Sequence, residues 1–182
     1  MKGLIFVELL KMAEKASNED LVDGVLDGLE LESGGAYSVV GSYSCSELVA
    51  IVGGLSEKMN APASALQEQF GHWMFDHFVE NFGQFFSEKH SAFDMLESID
   101  QEVHVEVRKL YPDAELPRFE TKRLSQTEMT MTYISARPLQ SFCHGLIESC
   151  LAHYGEAGQI TIDDQSHNEA TQVVFNISLD AA

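Results

Sequence analysis

The segment Glu128-Met-Thr-Met-Thr-Tyr-Ile-Ser-Ala-Arg137 marks the place where the hydrophobic pattern of this chain changes from helical to strand-like. Its residues Met129, Met131 and Tyr133 alternate with polar residues, which predicts a half-buried strand because successive strand side chains point to opposite faces. Before that segment, residues 2 to about 112 repeat apolar residues at helical spacing. Helices that precede a strand–helix–strand–strand unit predict an α+β fold.

The helices of the N-terminal part are predicted from their apolar stripes and their end signals. The first begins near residue 4. The second begins near Ser44, whose hydroxyl lies three residues before Glu47 in the pattern of a capping box. A third opens at Pro62. A fourth spans residues 93 to 111, where the length of the apolar repeat favours a helix over a strand.

The C-terminal part is predicted to continue as a helix followed by two strands. Pro138 suits the first position of a helix, because its fixed φ angle and missing N–H are tolerated there. Strands are expected over residues 159 to 162 and 172 to 179. No repeat, low-complexity tract or linker divides the sequence, so we expect a single domain over residues 1–182.

The composition excludes several classes of function. The chain has 182 residues, 45% of them hydrophobic, and a formal net charge of −18. A field of that sign disfavours nucleic acid and anionic membrane surfaces, and no apolar run approaches the roughly 20 residues of a membrane helix. The three cysteines form no CxxC pair, as is typical of reduced thiols. These features predict an acidic cytoplasmic protein that binds neither nucleic acid nor membrane.

The few basic residues are concentrated in one part of the sequence. Six of the eleven lysines and arginines lie between Arg108 and Arg137. Such clustering is consistent with a solvated turn region. It is also consistent with a site for a small dianion, and the residues alone leave both interpretations open.

One of the seven histidines has a distinctive setting. His104 lies beside the apolar stripe of the fourth helix and directly before the basic segment. An imidazole that faces an apolar cavity suits an axial haem ligand, since the iron takes a neutral ring nitrogen. The alternative is a hydrogen-bonded core histidine. His77, which shares a helix stripe with aromatic residues, leaves the same two interpretations open.

Three polar side chains follow one another at strand spacing in the quoted segment. In an extended chain Tyr133, Ser135 and Arg137 project to the same side, so a phenol, a hydroxyl and a guanidinium converge. All three are donors, and the arginine fork matches a carboxylate. The cluster therefore suits a carboxylate ligand, whereas the alternative is a strand end with ordinary surface residues.

Two motifs together closely resemble one family. They are His104-Val-Glu-Val-Arg-Lys-Leu-Tyr-Pro-Asp-Ala-Glu-Leu-Pro117-Arg-Phe119 and Tyr133-x-Ser135-x-Arg137. This combination resembles the H-NOX (haem nitric oxide/oxygen-binding) domains, bacterial relatives of the haem domain of soluble guanylate cyclase. The resemblance runs over the whole chain. It implies a helical N-terminal part packed on a C-terminal antiparallel sheet with helices, with haem buried between them.

The resemblance also implies how the haem is held. By this likeness, ferrous haem b is bound by His104 as the proximal iron ligand. Tyr133, Ser135 and Arg137 hold the propionates, and Pro117 packs on the porphyrin and bends it out of plane.

One position on the distal side separates the gases. Oxygen-binding members of the family place a tyrosine hydroxyl where this chain has Phe142. The resemblance implies that the distal side is lined by residues that cannot donate a hydrogen bond: Ile5, Leu9, Phe142 and Leu146. Bound O₂ needs a buried donor more than NO does, so this likeness implies an NO sensor that excludes O₂. A hidden donor from Tyr154 or Trp73 is the alternative.

The implied function is signalling rather than catalysis. NO weakens or breaks the bond between iron and His104, and the resulting conformational change regulates a partner in trans, either a sensor histidine kinase or a cyclic-di-GMP enzyme. CO is a second expected ligand. The alternatives are an O₂-binding haem protein or haem enzyme, and an interaction module without cofactor. Some relatives carry a cysteine-rich zinc site, but residues 162 to 169 contain one histidine and no cysteine, so no structural zinc is expected.

Overall fold

The helical part of the chain forms where the apolar repeats predicted it. A computed structural model describes residues 1–167 and 171–180. The elements in chain order are α1 (Gly3–Ala16), α2 (Glu19–Leu26), α3 (Cys45–Met59), α4 (Ala63–Phe82), α5 (Gln84–Ser87), α6 (Ala92–Ser98), a π-helical segment (Ile99–Val103), α7 (His104–Leu110), β1 (Arg118–Arg123), β2 (Glu128–Ser135), α8 (Gln140–His153), β3 (Gly158–Asp164) and β4 (Thr171–Leu179).

The first four helices bury their apolar stripes against one another. Phe6, Ile51, Leu55 and Met74 are all at most 1% exposed in this N-terminal core. Burying one such side chain contributes roughly 1.5–3 kcal/mol. The core therefore accounts for the helical arrangement without any ligand contact.

The start of α3 differs from the predicted capping box. Ser44 does cap the helix, because its hydroxyl accepts a hydrogen bond from the Ser46 N–H at 3.2 Å. The Glu47 carboxylate, however, accepts hydrogen bonds from the Ser33 and Tyr37 hydroxyls at 2.5 and 2.6 Å. The reciprocal half of the capping box is thus wrong, since Glu47 ties down the preceding loop instead.

The four strands form one antiparallel sheet in the order β1-β2-β4-β3. The predicted alternation in β2 is confirmed, with Met129, Met131 and Tyr133 all buried on one face. They pair directly with Ile177, Phe175 and Val173 of β4, which are also buried. Helix α8 covers this face and contributes Cys143, Ile147 and Cys150 to the same core.

Helices α2 and α5 were not predicted, and one strand and one helix boundary also differ from the prediction. Strand β1 was not expected, because Arg118–Arg123 is an edge strand with four exposed side chains and little hydrophobic pattern. Helix α8 begins at Gln140, so Pro138 precedes the helix rather than occupying its first position. The predicted helix over residues 93 to 111 does form, as α6, the π-helical segment and α7 in succession.

Helices α4 and α8 approach each other closely enough to join the two parts of the molecule. A Cβ atom on Gly71 would lie 2.3 Å from the carbonyl oxygen of Phe142, and one on Gly145 would lie 2.1 Å from that of Glu68. Only glycine fits at such a backbone contact. The α+β fold, with a helical N-terminal part packed on a sheet with helices, is confirmed. Among the described residues, no helix is both long and apolar enough to cross a membrane.

Candidate functional site

A cavity of about 800 Å³ is lined by residues of both the N-terminal and the C-terminal core. Its size is within the range of small-molecule and cofactor sites, about 300–1,000 Å³. Most of its lining is apolar. Eight of the nine candidate residues line it: Ile5, His104, Pro117, Tyr133, Ser135, Arg137, Phe142 and Leu146. The ninth, Leu9, is fully buried in the N-terminal core and is not part of the lining.

His104 is held by one ring nitrogen and leaves the other available. Its Nδ1 lies 2.7 Å from the Oδ1 atom of Asp100, one helical turn earlier. An ionised carboxylate only accepts hydrogen bonds, so Nδ1 carries the proton. In the part of the chain that the structure describes, Nε2 has no hydrogen-bond partner. This arrangement directs the tautomer so that Nε2 offers a lone pair, as a metal-binding histidine requires.

The protonation of His104 supports the same role. Burial lowers the pKa of the imidazole below its ordinary value, and the Asp100 carboxylate opposes that shift in part. The ring is therefore neutral at pH 7. A neutral imidazole in an apolar cavity has the electronic state that an iron ligand needs.

A π-helical segment delivers His104 to the cavity. The backbone N–H of His104 donates to the carbonyl oxygen of Ile99, five residues earlier, which is the π-helical pattern. Such single π turns occur often at functional sites. The apolar periodicity of residues 93 to 111 predicted a regular helix. A π turn adds one residue to a single turn, and the spacing of the apolar residues does not reveal it.

Asp100 joins the His104 helix to the sheet. Its Oδ2 atom accepts a hydrogen bond from the backbone N–H of Phe119 at 3.1 Å. The Phe119 ring lies 5.7 Å from the His104 ring, centroid to centroid. One carboxylate thus orients the imidazole and attaches it to β1. Asp100 was not among the predicted site residues, although its spacing of four residues before His104 on a helix was a usable signal.

Tyr133, Ser135 and Arg137 come together at one edge of the cavity. The Tyr133 hydroxyl donates to the carbonyl oxygen of Arg137 at 2.8 Å, and the Ser135 hydroxyl accepts from the Arg137 N–H at 3.1 Å. The Arg137 guanidinium donates to the carbonyl and the carboxylate of Glu115 at 2.7 and 2.5 Å. Burial raises the pKa of Tyr133 to about 12, so its hydroxyl stays a donor.

A second cation lies along the same cavity. Lys2 lines it and bonds to Asp113 at 2.9 Å, and the Lys2 side chain is only 18% exposed. Arg137 is 16% exposed, whereas its partner Glu115 is 84% exposed. The two cations are therefore mostly buried while their acidic partners remain in solvent. Of the six basic residues from 108 to 137, only Arg137 lines the cavity.

The wall around Phe142 is made of carbon side chains. The Phe142 ring packs on Phe70 of α4 with 5.1 Å between centroids. Ile5 and Leu146 line the cavity as well. None of these side chains can donate a hydrogen bond.

The two donors considered as alternatives are engaged elsewhere. Trp73 donates through Nε1 to Glu8 at 2.9 Å, and the Tyr154 hydroxyl donates to the carbonyl of Phe86 at 2.9 Å. Neither residue lines the cavity. Gln67 of α4 does line it and carries an amide donor. Gln67 was not among the predicted site residues, because the periodicity of apolar residues does not distinguish a glutamine that faces a cavity from one that faces solvent.

The remaining candidates do not join the site as ligands. His77 places Nδ1 3.7 Å from Glu8 and is outside the cavity lining. Cys143 lines the cavity, but burial holds the pKa of its thiol far above the usual range, so it stays protonated and unreactive. In the region expected to lack zinc, His167 is exposed, and residues 168 and 169 lie outside the described residues.

The residue set fits a haem. A neutral histidine with a free nitrogen can bind the iron, the apolar walls suit the macrocycle, and two buried cations suit the two propionates. This fit depends on the donors of the chain alone.

Comparison with known proteins identifies the family. The family model described as haem-NO-binding (HNOB) matches residues 2–162. No curated protein matches the chain. The chain is similar to the unliganded Fe(II) H-NOX protein from K. algicida, with 31% identity, a TM-score of 0.94, and coverage of 100% of this chain and 98% of that chain.

Two further solved structures are similar. The H-NOX from Shewanella woodyi, bound to IWP-051 in the Fe(II)CO state, has 36% identity and a TM-score of 0.81, with 98% and 94% of the two chains covered. The oxygen complex of an oxygen-binding H-NOX domain related to soluble guanylate cyclases has 22% identity and a TM-score of 0.82, with 100% and 96% covered, and shows the fold alone. The cavity, its histidine and these matches lead to one conclusion: the chain belongs to the H-NOX family of haem-binding gas-sensor domains, which are sensors rather than enzymes.

Proposed function

We propose that residues 1–182 form one domain that holds ferrous haem b on His104 and senses NO while excluding O₂. The observation that carries the proposal is the contrast within one cavity. On one wall a neutral imidazole offers a free nitrogen, and on the other Phe142 replaces the phenol that an oxygen-binding site needs. A cytoplasmic location is part of the same proposal.

The cationic edge holds the propionates. Arg137 exchanges the carboxylate of Glu115 for a propionate, which costs little because Glu115 is 84% exposed and exposed ion pairs contribute only about 0–1 kcal/mol. Ser135 supplies a hydroxyl donor, and Lys2 supplies a second charge. Tyr133 supplies another hydroxyl donor when its proton turns from the Arg137 carbonyl to the propionate. Pro117 packs against the macrocycle from the lining of the cavity.

The selectivity follows from the hydrogen-bonding capacity of the Phe142 wall. A buried donor on this wall would stabilise an O₂ ligand, which would carry partial negative charge, by about 1.5–3 kcal/mol. Phe142, Leu146 and Ile5 supply no such donor. NO and CO depend far less on one, so both are expected ligands.

The switch acts through the His104 segment. His104 would hold the haem, which would supply the iron that binds NO, and NO binding would weaken the bond between the iron and His104. His104 remains bonded to Asp100, and Asp100 remains bonded to the N–H of Phe119. Once the tether to the iron is lost, α7 would stay attached to β1 through Asp100. The N-terminal helices would then shift relative to this C-terminal part and change the surface presented to a partner. The partner is a sensor histidine kinase or a cyclic-di-GMP enzyme. NO can change the activity of this partner only to the extent that NO binds the two conformations of the domain with different affinities.

Visible spectra of the ferrous protein test the proposal. We expect an NO complex whose spectrum shows a weakened or broken iron–histidine bond, and no stable complex in air. Phe142→Tyr should gain an O₂ complex, because it restores a donor. A colourless protein after expression with ample haem would refute the sensor, whereas a stable oxygen complex in the unaltered protein would refute only the selectivity.

The second candidate function, an O₂-binding haem protein, is favoured by one observation. Gln67 lines the cavity and its amide could donate to bound O₂. Gln67→Leu distinguishes the two. If the unaltered protein binds O₂ and this variant does not, Gln67 is the donor and the O₂ function holds.

A further inference from the structure

Four metal-binding side chains meet on the outer side of the α4–α8 contact, apart from the cavity. Glu68 and His72 lie one turn apart on α4, and His144 and Glu148 lie one turn apart on α8. Single ligand atoms of Glu68, His144 and Glu148 all lie within 4.8 Å of one another. None of the four residues lines the haem cavity.

The distances within this Glu68/His144 cluster are short. The Nδ1 atom of His144 lies 3.0 Å from Glu68, and its Nε2 atom lies 3.8 Å from Glu148. His72 bonds through Nε2 to the second oxygen of Glu148 at 2.9 Å. A tetrahedral zinc site with bonds of 2.0–2.2 Å separates its ligand atoms by roughly 3.3–3.6 Å. A metal ion takes only one nitrogen of His144, and with one ligand atom per residue the three atoms lie within 4.8 Å of one another. Side-chain rotations would have to close this set to the zinc spacing.

The backbone under the cluster is held rigidly. Gly71 and Gly145 let the two helices touch within one turn of these side chains. The His144 ring also lies parallel to that of Phe175 in β4, with centroids 6.3 Å apart. The cluster is therefore a fixed pair of helix faces rather than a chance meeting of mobile side chains.

The carboxylates of Glu68 and Glu148 carry negative charge that a bound cation would neutralise. Glu68 and Glu148 are 40% and 39% exposed, so the site is open to solvent. Throughout residues 1–167 and 171–180, no lysine or arginine lies within 4 Å of either carboxylate, and both face only histidines. Two carboxylates and an imidazole are ligands that Zn²⁺ accepts.

We propose that Glu68, His144 and Glu148 form a binding site for a divalent transition-metal ion of the zinc type, and that His72 orients Glu148 as its hydrogen-bond partner. The bound ion links α4 to α8. Because Phe70 and Phe142 belong to these same helices, the ion fixes the spacing of two helices that also line the haem cavity. The site is independent of the haem ligands.

Zinc titration of the haem-loaded full chain tests the site. After treatment with a chelator and its removal, isothermal titration with ZnCl₂ should give one ion per chain. Glu68→Gln and His144→Gln should each weaken binding by about tenfold or more. Zinc at about 100 times Kd should raise Tm by about 5 to 10 °C in the unaltered protein and not in these variants.

Matched controls place the ion. Glu80→Gln removes the same charge from an exposed position of α4, and His153→Gln removes an imidazole from α8, so both should keep full affinity. Zinc K-edge absorption should show nitrogen and oxygen ligands with imidazole scattering, free of interference from iron. Since His144 is mostly buried, the half-exposed Glu68→Gln carries the test if His144→Gln does not fold.

Two results would overturn the proposal. One is no zinc uptake by the unaltered protein, which leaves the cluster as two histidine–carboxylate pairs. The other is equal affinity in the ligand variants and the controls, which places the ion elsewhere. Neither result depends on whether the haem binds NO.

Discussion

The two walls of the haem cavity are built in opposite ways. The Phe142 wall rests on α4 and α8, whose backbones touch at Gly71 and Gly145. The His104 wall rests on the π-helical segment and α7, in which His104 is the only buried residue. A segment with so few buried contacts has low local stability. The Phe142 wall is thus rigid and the His104 wall loosely packed. Under the proposed function, the rigid wall would select the ligand and the loose wall would report its binding.

Removing the tether of the loose wall should have the largest effect. In His104→Gly we expect loss of haem binding, and added imidazole should restore the ferrous spectrum because it fills the space of the lost ring. His77→Ala is the control and should keep its haem. Haem that remains bound to His104→Gly without imidazole would show that another residue is the ligand.

Crowding the rigid wall should cost stability rather than haem chemistry. Gly145→Ala places a Cβ 2.1 Å from a backbone oxygen, so we expect the free energy of unfolding to fall by about 1–3 kcal/mol or more. Gly53→Ala is the matched control, because its Cβ meets nothing within 4 Å. That variant should be unchanged or more stable by up to about 1 kcal/mol, since alanine is the better helix former. Urea unfolding followed by circular dichroism measures both, and equal losses would contradict the close packing.

Asp100 should tune the loose wall without removing it. Asp100→Asn keeps a side-chain oxygen but loses the charge that orients and polarises His104. Replacing an outer partner of a metal-binding histidine costs about 10- to 100-fold in metal affinity, so we expect a faster transfer of haem to a competing acceptor. Glu102→Gln is the control, because Glu102 is an exposed carboxylate of the π-helical segment that does not line the cavity. Transfer rates that are equal in all three proteins would show that Asp100 has no positioning role.

The pH dependence should be the smallest effect. The folded pKa of His104 lies below 6.5, so on acidification the unfolded chain takes up the proton first. This contribution to stability is complete above pH 6.5 and is lost as pH falls below it. Asp100→Asn should enlarge the loss, because the carboxylate opposes the lowering of the pKa. Urea midpoints of the haem-free proteins between pH 7.5 and 5.5 measure this effect. Equal shifts in the unaltered protein and in Asp100→Asn would contradict the linkage.

Local patterns account for most of what could be predicted. The alternation of Met129, Met131 and Tyr133 with polar residues predicted β2. The motif that ends at Arg137 predicted the cationic edge of the cavity. Strand β1 was missed because an exposed edge strand needs no hydrophobic pattern. Leu9, which the resemblance places on the distal side, is fully buried in the N-terminal core and does not line the cavity.

The α+β order, His104 and the motif of Tyr133, Ser135 and Arg137 could be predicted, because each is encoded in residues close together along the chain. The surroundings of these residues follow from the tertiary packing and could not be predicted. The Asp100 link to Phe119, the second cation at Lys2, the amide of Gln67 and the Glu68/His144 cluster all join distant segments or depend on which way a helix face turns. Spacing along the chain cannot encode such contacts, since they arise when whole helices and strands bury their apolar faces against one another.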